Sequence, residues 1–163
     1  MQRKEIRLAL LDLLVEFEPE WVPIEVATTR LMNCGDALIP GLIDCLTDYD
    51  WCVRHLTINL LATNRPHSDV AVSHIIQRVT DENRLVRAIA IERLNDFGSL
   101  AVGAIPFLEG KLDREDEYLW IIAVTLIVRL DPSRTHLQAD IRAATTSDNP
   151  MVKEVARNFL LKL

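Results

Sequence analysis

Thr47-Asp-Tyr-Asp-Trp-Cys-Val-Arg54 decides the fold, because it returns at a fixed interval. A shift of 33 residues lands it on Thr80-Asp-Glu-Asn-Arg-Leu-Val-Arg87. A second shift gives Asp113-Arg-Glu-Asp-Glu-Tyr-Leu-Trp120, and a third gives Thr146-Ser-Asp-Asn-Pro-Met-Val-Lys153, all without a gap. Self-similarity at a period of roughly 20–50 residues is the sequence signature of a repeat architecture. The downstream columns say what repeats. Val53, Val86, Leu119 and Val152 align, as do Leu56, Ile89, Ile122 and Val155, and again Leu61, Leu94, Ile127 and Leu160. Thr57, Ala90, Ala123 and Ala156 make a column of small residues where a neighbouring helix comes closest. The offsets i, i+3, i+4 and i+8 are the apolar stripe of a helix packed on one side. Asp50, Asn83, Asp116 and Asn149 stand just before it, all residues that accept bonds from the free N–H groups of a first turn. Pro150 follows the last of them, at a position that favours proline.

Upstream of each cap lies a second apolar pattern. Ile39, Leu42, Ile43 and Leu46 recur as Val72, Ile75, Ile76 and Val79, then as Ile105, Leu108 and Leu112. Each unit is therefore a helix A, a short turn and a helix B, with loops at 64–68, 96–99 and 131–135. One such pair cannot bury its own apolar face, whereas a stack of pairs can. The expectation is an all-α chain, an α-solenoid of antiparallel helix pairs forming one domain over 1–163, with repeats at 36–68, 69–101, 102–134 and 135–163. Residues 1–34 do not hold the register. A helix from Gln2 to Phe17 and another from Val22 to Met32, interrupted by Pro19 and Pro23, read as a degenerate N-terminal capping pair.

Composition narrows the function classes. Apolar residues are 49% and charged residues 26% of the 163, which suits a folded globular chain and excludes a disordered one. Five Gly and seven Pro are too few for the tight turns of an all-β domain. The net charge of −6 weighs against a nucleic-acid groove, which needs a basic face. Cys34, Cys45 and Cys52 are odd in number and lack a CxxC spacing, so free thiols and a cytoplasmic location are expected. The opening Met1–Arg7 lacks the apolar stretch of a signal peptide. The most apolar run, Leu119 to Val128, is half the length a bilayer requires, so no membrane association is expected.

An aspartate in the turn, followed by Val-Arg at the start of the second helix (Asp48 with Val53-Arg54, Asp81 with Val86-Arg87), resembles the HEAT repeat. The resemblance covers 36–163 and is closest to the short bacterial HEAT-like variety. It implies a ladder of Asp and Arg between successive repeats, here Asp48, Arg54, Asp81 and Arg87, with the second helices lining a concave side. Arg114 and Ser147 replace the aspartate, and Trp120 and Lys153 the arginine, so the ladder breaks after two units. HEAT-like families include adaptors, DNA-repair glycosylases, bilin lyases and an iron hydroxylase, so the resemblance narrows architecture more than function.

No catalytic constellation emerges. None of His55, His67, His74 and His136 is followed by Glu, and no two share a helix face, so neither metal nor cofactor is expected. Glu115-Asp116-Glu117 is explained by a cap and a helix dipole. Cys45 shares its column with Arg78, Lys111 and Ala144, which predicts an exposed thiol on helix A.

The helix-B positions left over by the core stripe read Trp51, His55, Asn59 and Ala62, then Arg84, Ala88, Glu92 and Asn95, then Glu117, Ile121, Thr125 and Val128, then Pro150, Glu154, Asn158 and Leu161. This face, with apolar anchors at Ile121 and Val128, is the expected groove for a partner segment. Trp120 is a further candidate, since it stands where the family places arginine. The expected function is a protein-interaction scaffold or adaptor binding a protein or peptide on the helix-B face. The alternative is a HEAT-like enzyme or ligand carrier, resembling a bilin lyase or, against the charge, a DNA glycosylase. Phe159 to Leu163 end the chain without a polar cap helix, which also suggests a homodimer through that end.

Overall fold

The same asparagines and aspartates that mark the period start the second helices. In a computed structural model of the chain, residues 3–16, 24–31, 38–63, 69–110 and 114–162 are described. Asp50 Oδ1 accepts the N–H of Cys52 at 2.9 Å, Asn83 Oδ1 that of Leu85 at 2.9 Å, Asp116 Oδ1 that of Leu119 at 3.1 Å and Asn149 Oδ1 that of Met151 at 3.1 Å. Each bond satisfies a donor the helix cannot pair internally. Helix B accordingly begins at the next residue in every repeat: α4 Trp51–Thr63, α6 Arg84–Leu94, α8 Glu117–Leu130 and α10 Pro150–Leu160. Helix A is shorter: α3 Leu38–Cys45, α5 Val72–Arg78 (preceded by a 3-10 turn, Asp69–Ala71), α7 Ile105–Glu109 and α9 Thr135–Ala144. The described residues hold no strand. The first pair is α1 Arg3–Glu16 and α2 Ile24–Leu31, within the helices read from sequence; Pro19, Pro23 and the loop at 64–68 lie outside the described residues.

The chain divides into two compact units, Met1–Phe97 and Gly98–Leu163. The boundary falls at Gly98, with φ 54° and ψ −132° inside an otherwise 3-10 run, Asn95–Ala104. A side chain there would be strained in the left-handed region, which suits glycine.

In the first unit α1 packs on α2, α3 and α4, α4 also packs on α3 and α6, and α5 packs on α6. Its core holds Leu10, Leu13, Leu42, Leu56, Leu60, Leu61 and Ile75, all fully buried. Gly41 lets α3 approach α1, since a Cβ there would run into Ile6 Cδ1. In the second unit α8 packs on α7, α9 and α10, and α9 packs on α10. The small column is buried throughout, at Thr57, Ala90, Ala123 and Ala156, as the close approach of helices requires. The large columns are buried except Leu119, Val155 and Leu160, which are half-buried.

Candidate functional site

The turn from helix A to helix B gathers the buried charge of the first unit. Asp81 Oδ1 accepts the N–H of Asn83 at 3.0 Å, which closes the turn, and Asp48 Oδ1 does the same for Asp50 at 3.0 Å. The other capacity of each carboxylate goes to an arginine. Arg54 is bidentate on Asp81, Nη2 to Oδ1 at 2.7 Å and Nε to Oδ2 at 3.0 Å, and its Nη2 also reaches Glu82 Oε1 at 3.3 Å. Its Nη1 donates to the carbonyls of Asp48 and Tyr49, so one side chain ties its own turn to the next. Arg87 donates to the carbonyls of Asp81 and Glu82 in the same way. Burial works against the Arg54 guanidinium's charge, but Asp81 and Glu82 outweigh it and raise its pKa. Asp48 is served by Arg7 of α1, Nε to Oδ2 at 2.7 Å. Burial pushes the Asp48 carboxyl up, yet the Arg7 bond, the Asp50 N–H and the nearby arginine charges hold it below the usual carboxylate range. Arg7 is outside the 33-residue register, so no column could have announced it.

The second unit keeps the turns and changes their contents. Ser147 Oγ still accepts the N–H of Asn149 at 3.1 Å, which preserves the turn without the charge. Arg114, in the aspartate's column, swings to Asp140 of α9, Nη2 to Oδ2 at 2.9 Å. Its Cζ lies 4.8 Å from the ring centroid of Trp120, which stands in the arginine's column. Beside this pair opens a cleft of about 430 Å³. It repeats a cleft of about 510 Å³ in the first unit. Arg114, Trp120, Ala143, Ala144, Thr146, Ser147 and Asp148 line the one, two 33-residue steps after Asp48, Arg54, Gln77, Arg78, Thr80, Asp81 and Glu82, which line the other. In the first unit Arg54 crosses the cleft to Asp81, and Arg78 reaches Asp81 along the same wall. In the second, Ala144 and Ser147 cannot, and a half-buried indole forms the wall among Glu117, Asp140 and Asp148. The sequence column of Cys45 already held Ala144 under Arg78; what it could not show was that this column meets Trp120.

The structure places the remaining candidates differently from the sequence reading. Ile121, Thr125 and Val128, expected on an open groove, are buried at 0%, 9% and 1% exposure. α8 is apolar on nearly every face, and a helix of that kind belongs in the interior; the Thr125 hydroxyl is satisfied by the Ile121 and Ile122 carbonyls. His55 and Asn59 are buried as well, Asn59 Oδ1 accepting Arg93 Nε at 2.7 Å. Trp51 is half-buried, edge-on to His55 with centroids 6.5 Å apart, while Arg84 is exposed and Glu92 half-buried. Cys45, expected exposed, is fully buried, and burial pushes its thiol up to about 11, away from thiolate chemistry. Of the chain-terminal run, Phe159 is buried and Leu161 exposed.

His55 supplies a pH prediction. Its Nδ1 is buried without a hydrogen-bond partner among the described residues, and burial, helped by the charge of Arg93, lowers its pKa to about 4. The unfolded chain takes up the proton near the ordinary value of about 6.5. Stability is therefore complete above that pH and is lost as pH falls toward 4, by about 2–3 kcal/mol at pH 4.5. Urea unfolding at pH 7 and pH 4.5 should show that loss in the wild type and a much smaller one in His55→Leu. An equal loss in both would place the titrating group elsewhere.

Among the described residues no three His, Cys, Asp or Glu side chains are arranged to hold a metal ion, and no helix is long and apolar enough to cross a membrane. No curated protein matches the chain significantly. Among solved structures it is similar to an engineered protein determined by crystallography as a Northeast Structural Genomics Consortium target. The TM-score is 0.56 at 17% identity, covering 96% of this chain and 78% of that one, a likeness of fold alone. The family model described as HEAT repeats matches residues 39–127, which takes in the clamped turns of Asp48 and Asp81 and the altered turn at Arg114. With that match over more than half its length, the chain belongs to the HEAT repeats.

Proposed function

We propose that the chain is a protein-interaction scaffold that seats a segment of its partner in the Trp120 cleft. HEAT repeats commonly serve as such scaffolds. The observation that supports this location is the substitution of a whole set of bridging side chains at one repeat edge, which leaves a half-exposed tryptophan in a concavity of about 430 Å³. Binding energy concentrates on aromatic anchors of this kind set in pockets. The helix-B face adds little, because Ile121, Thr125 and Val128 are buried.

The test is a quantitative pull-down with tagged wild type, Trp120→Ala and, as a control at the equivalent turn of the first unit, Tyr49→Ala. Specific partners should fall at least roughly tenfold with Trp120→Ala and persist with Tyr49→Ala, both variants keeping wild-type circular dichroism. Undiminished recovery by a folded Trp120→Ala would remove the cleft from the account.

A further inference from the structure

Given that a partner segment sits here, the geometry points to the side chain the cleft accepts: an arginine or lysine of the partner, laid on the Trp120 indole and held by Asp148 and Glu117. The first support is charge. Three carboxylates, Glu117, Asp140 and Asp148, line the cleft with the indole against one guanidinium, on a chain of net charge −6. Arg114 is paired with Asp140, while Glu117 and Asp148 have no ion-pair partner among the described residues. An approaching cation gains from them and an approaching carboxylate is repelled.

The second support is the first unit, which shows a guanidinium in the corresponding place. There Glu82 takes Nη2 of Arg54 at 3.3 Å, and Asp148 stands two repeat steps after Glu82. In the second unit Ser147 takes the place of Asp81, the lesser acceptor persists as Asp148, and the chain's own arginine is gone, replaced by Trp120. A partner's arginine returns a guanidinium to the notch.

The third support is Arg114, which displays the binding mode in miniature. Its guanidinium lies over the indole at 4.8 Å from the centroid and bonds Asp140 at 2.9 Å, yet its side chain is 69% exposed. Nothing buried holds it there, so it is an internal occupant that an incoming cation competes with and displaces. An acidic partner would instead use Arg114 as its own contact. Removing Arg114 therefore separates the two chemistries by sign: it tightens the binding of a basic segment and weakens that of an acidic one.

The experiment follows the indole N–H of Trp120 by ¹⁵N NMR, assigned by its loss in Trp120→Phe. The full chain is titrated to millimolar concentrations with the peptide acetyl-GRGRG-amide and with versions carrying citrulline or glutamate in place of arginine. The arginine peptide should shift the signal saturably, the citrulline peptide at least about tenfold more weakly, and the glutamate peptide not at all. Arg114→Ala should bind the arginine peptide roughly two- to fivefold more tightly, the scale of one exposed cation–π contact. Asp148→Asn should bind it more weakly, and added salt should weaken it further. A citrulline peptide that binds equally well, a looser Arg114→Ala, or a signal that no arginine peptide moves would each overturn the basic-ligand assignment. The scaffold reading would survive those results, since it stands or falls on the pull-down with Trp120→Ala.

Discussion

Arg54→Ala is expected to destabilise the chain by about 3–5 kcal/mol, read as the shift of the urea midpoint monitored by circular dichroism. The Arg54 and Asp81 side chains are only 4% and 2% exposed, so the pair is out of water and escapes the screening that makes surface ion pairs nearly worthless. Truncating the arginine leaves the buried Asp81 carboxylate with the Asn83 N–H and, as its cation among the described residues, Arg78 at 3.4 Å, and it frees the carbonyls of Asp48 and Tyr49. Asp81→Ala should cost a similar amount, because it strands the guanidinium and opens the turn that holds Asn83. The double variant should cost clearly less than the sum, since both single changes remove one shared interaction. A loss under about 1 kcal/mol for either single change would mean that the pair behaves like a surface bridge. The same truncation at Trp120, the equivalent column of the second unit, leaves no buried charge behind and should be much milder.

Ile121→Glu, one residue further along α8, should do the opposite of a surface change. Ile121 is completely buried, and the variant loses its apolar burial while taking a carboxylate out of water. The combined cost is expected to exceed about 4 kcal/mol, the range reserved for unpaired buried charge, and to melt the second unit at room temperature. Loss of helical circular dichroism at 25 °C would show it. A variant that stays folded with wild-type stability would mean that the side chain reaches water. Any partner of the proposed cleft would be lost with Ile121→Glu through unfolding, so that variant does not probe a docking surface, whereas Trp120→Ala does.

The two residues are adjacent in sequence, and their different fates show where sequence reading stops. Helices, caps and core stripe were legible because each is a local rule stated four times over. An Asx residue before an apolar run caps a helix whatever surrounds it, and Asp50, Asn83, Asp116 and Asn149 all accept the bonds expected of them. The failure of the arginine column at Trp120 was legible for the same reason, as a break in a repeated pattern. The face opposite the stripe was not. Whether Ile121, Val128, His55 and Asn59 meet water depends on what packs against that side, and periodicity says only that they are not on the stripe. Cys45 shows the same limit, since its column holds Arg78 in one repeat and a fully buried thiol in another.

What the amino-acid sequence by itself determined is the repeated unit, because helix propensity, capping and amphipathic spacing act within one turn or one pair of helices. Tertiary structure alone decided which side chains meet in the two clefts. Arg7, from a helix with no place in the register, completes the charge of Asp48, and Arg114, in the turn before α8, reaches Asp140 of α9. Neither partner is set by a local rule of one helix or one turn. The choice follows from distances of 2.7 to 2.9 Å that exist only once the helices are stacked.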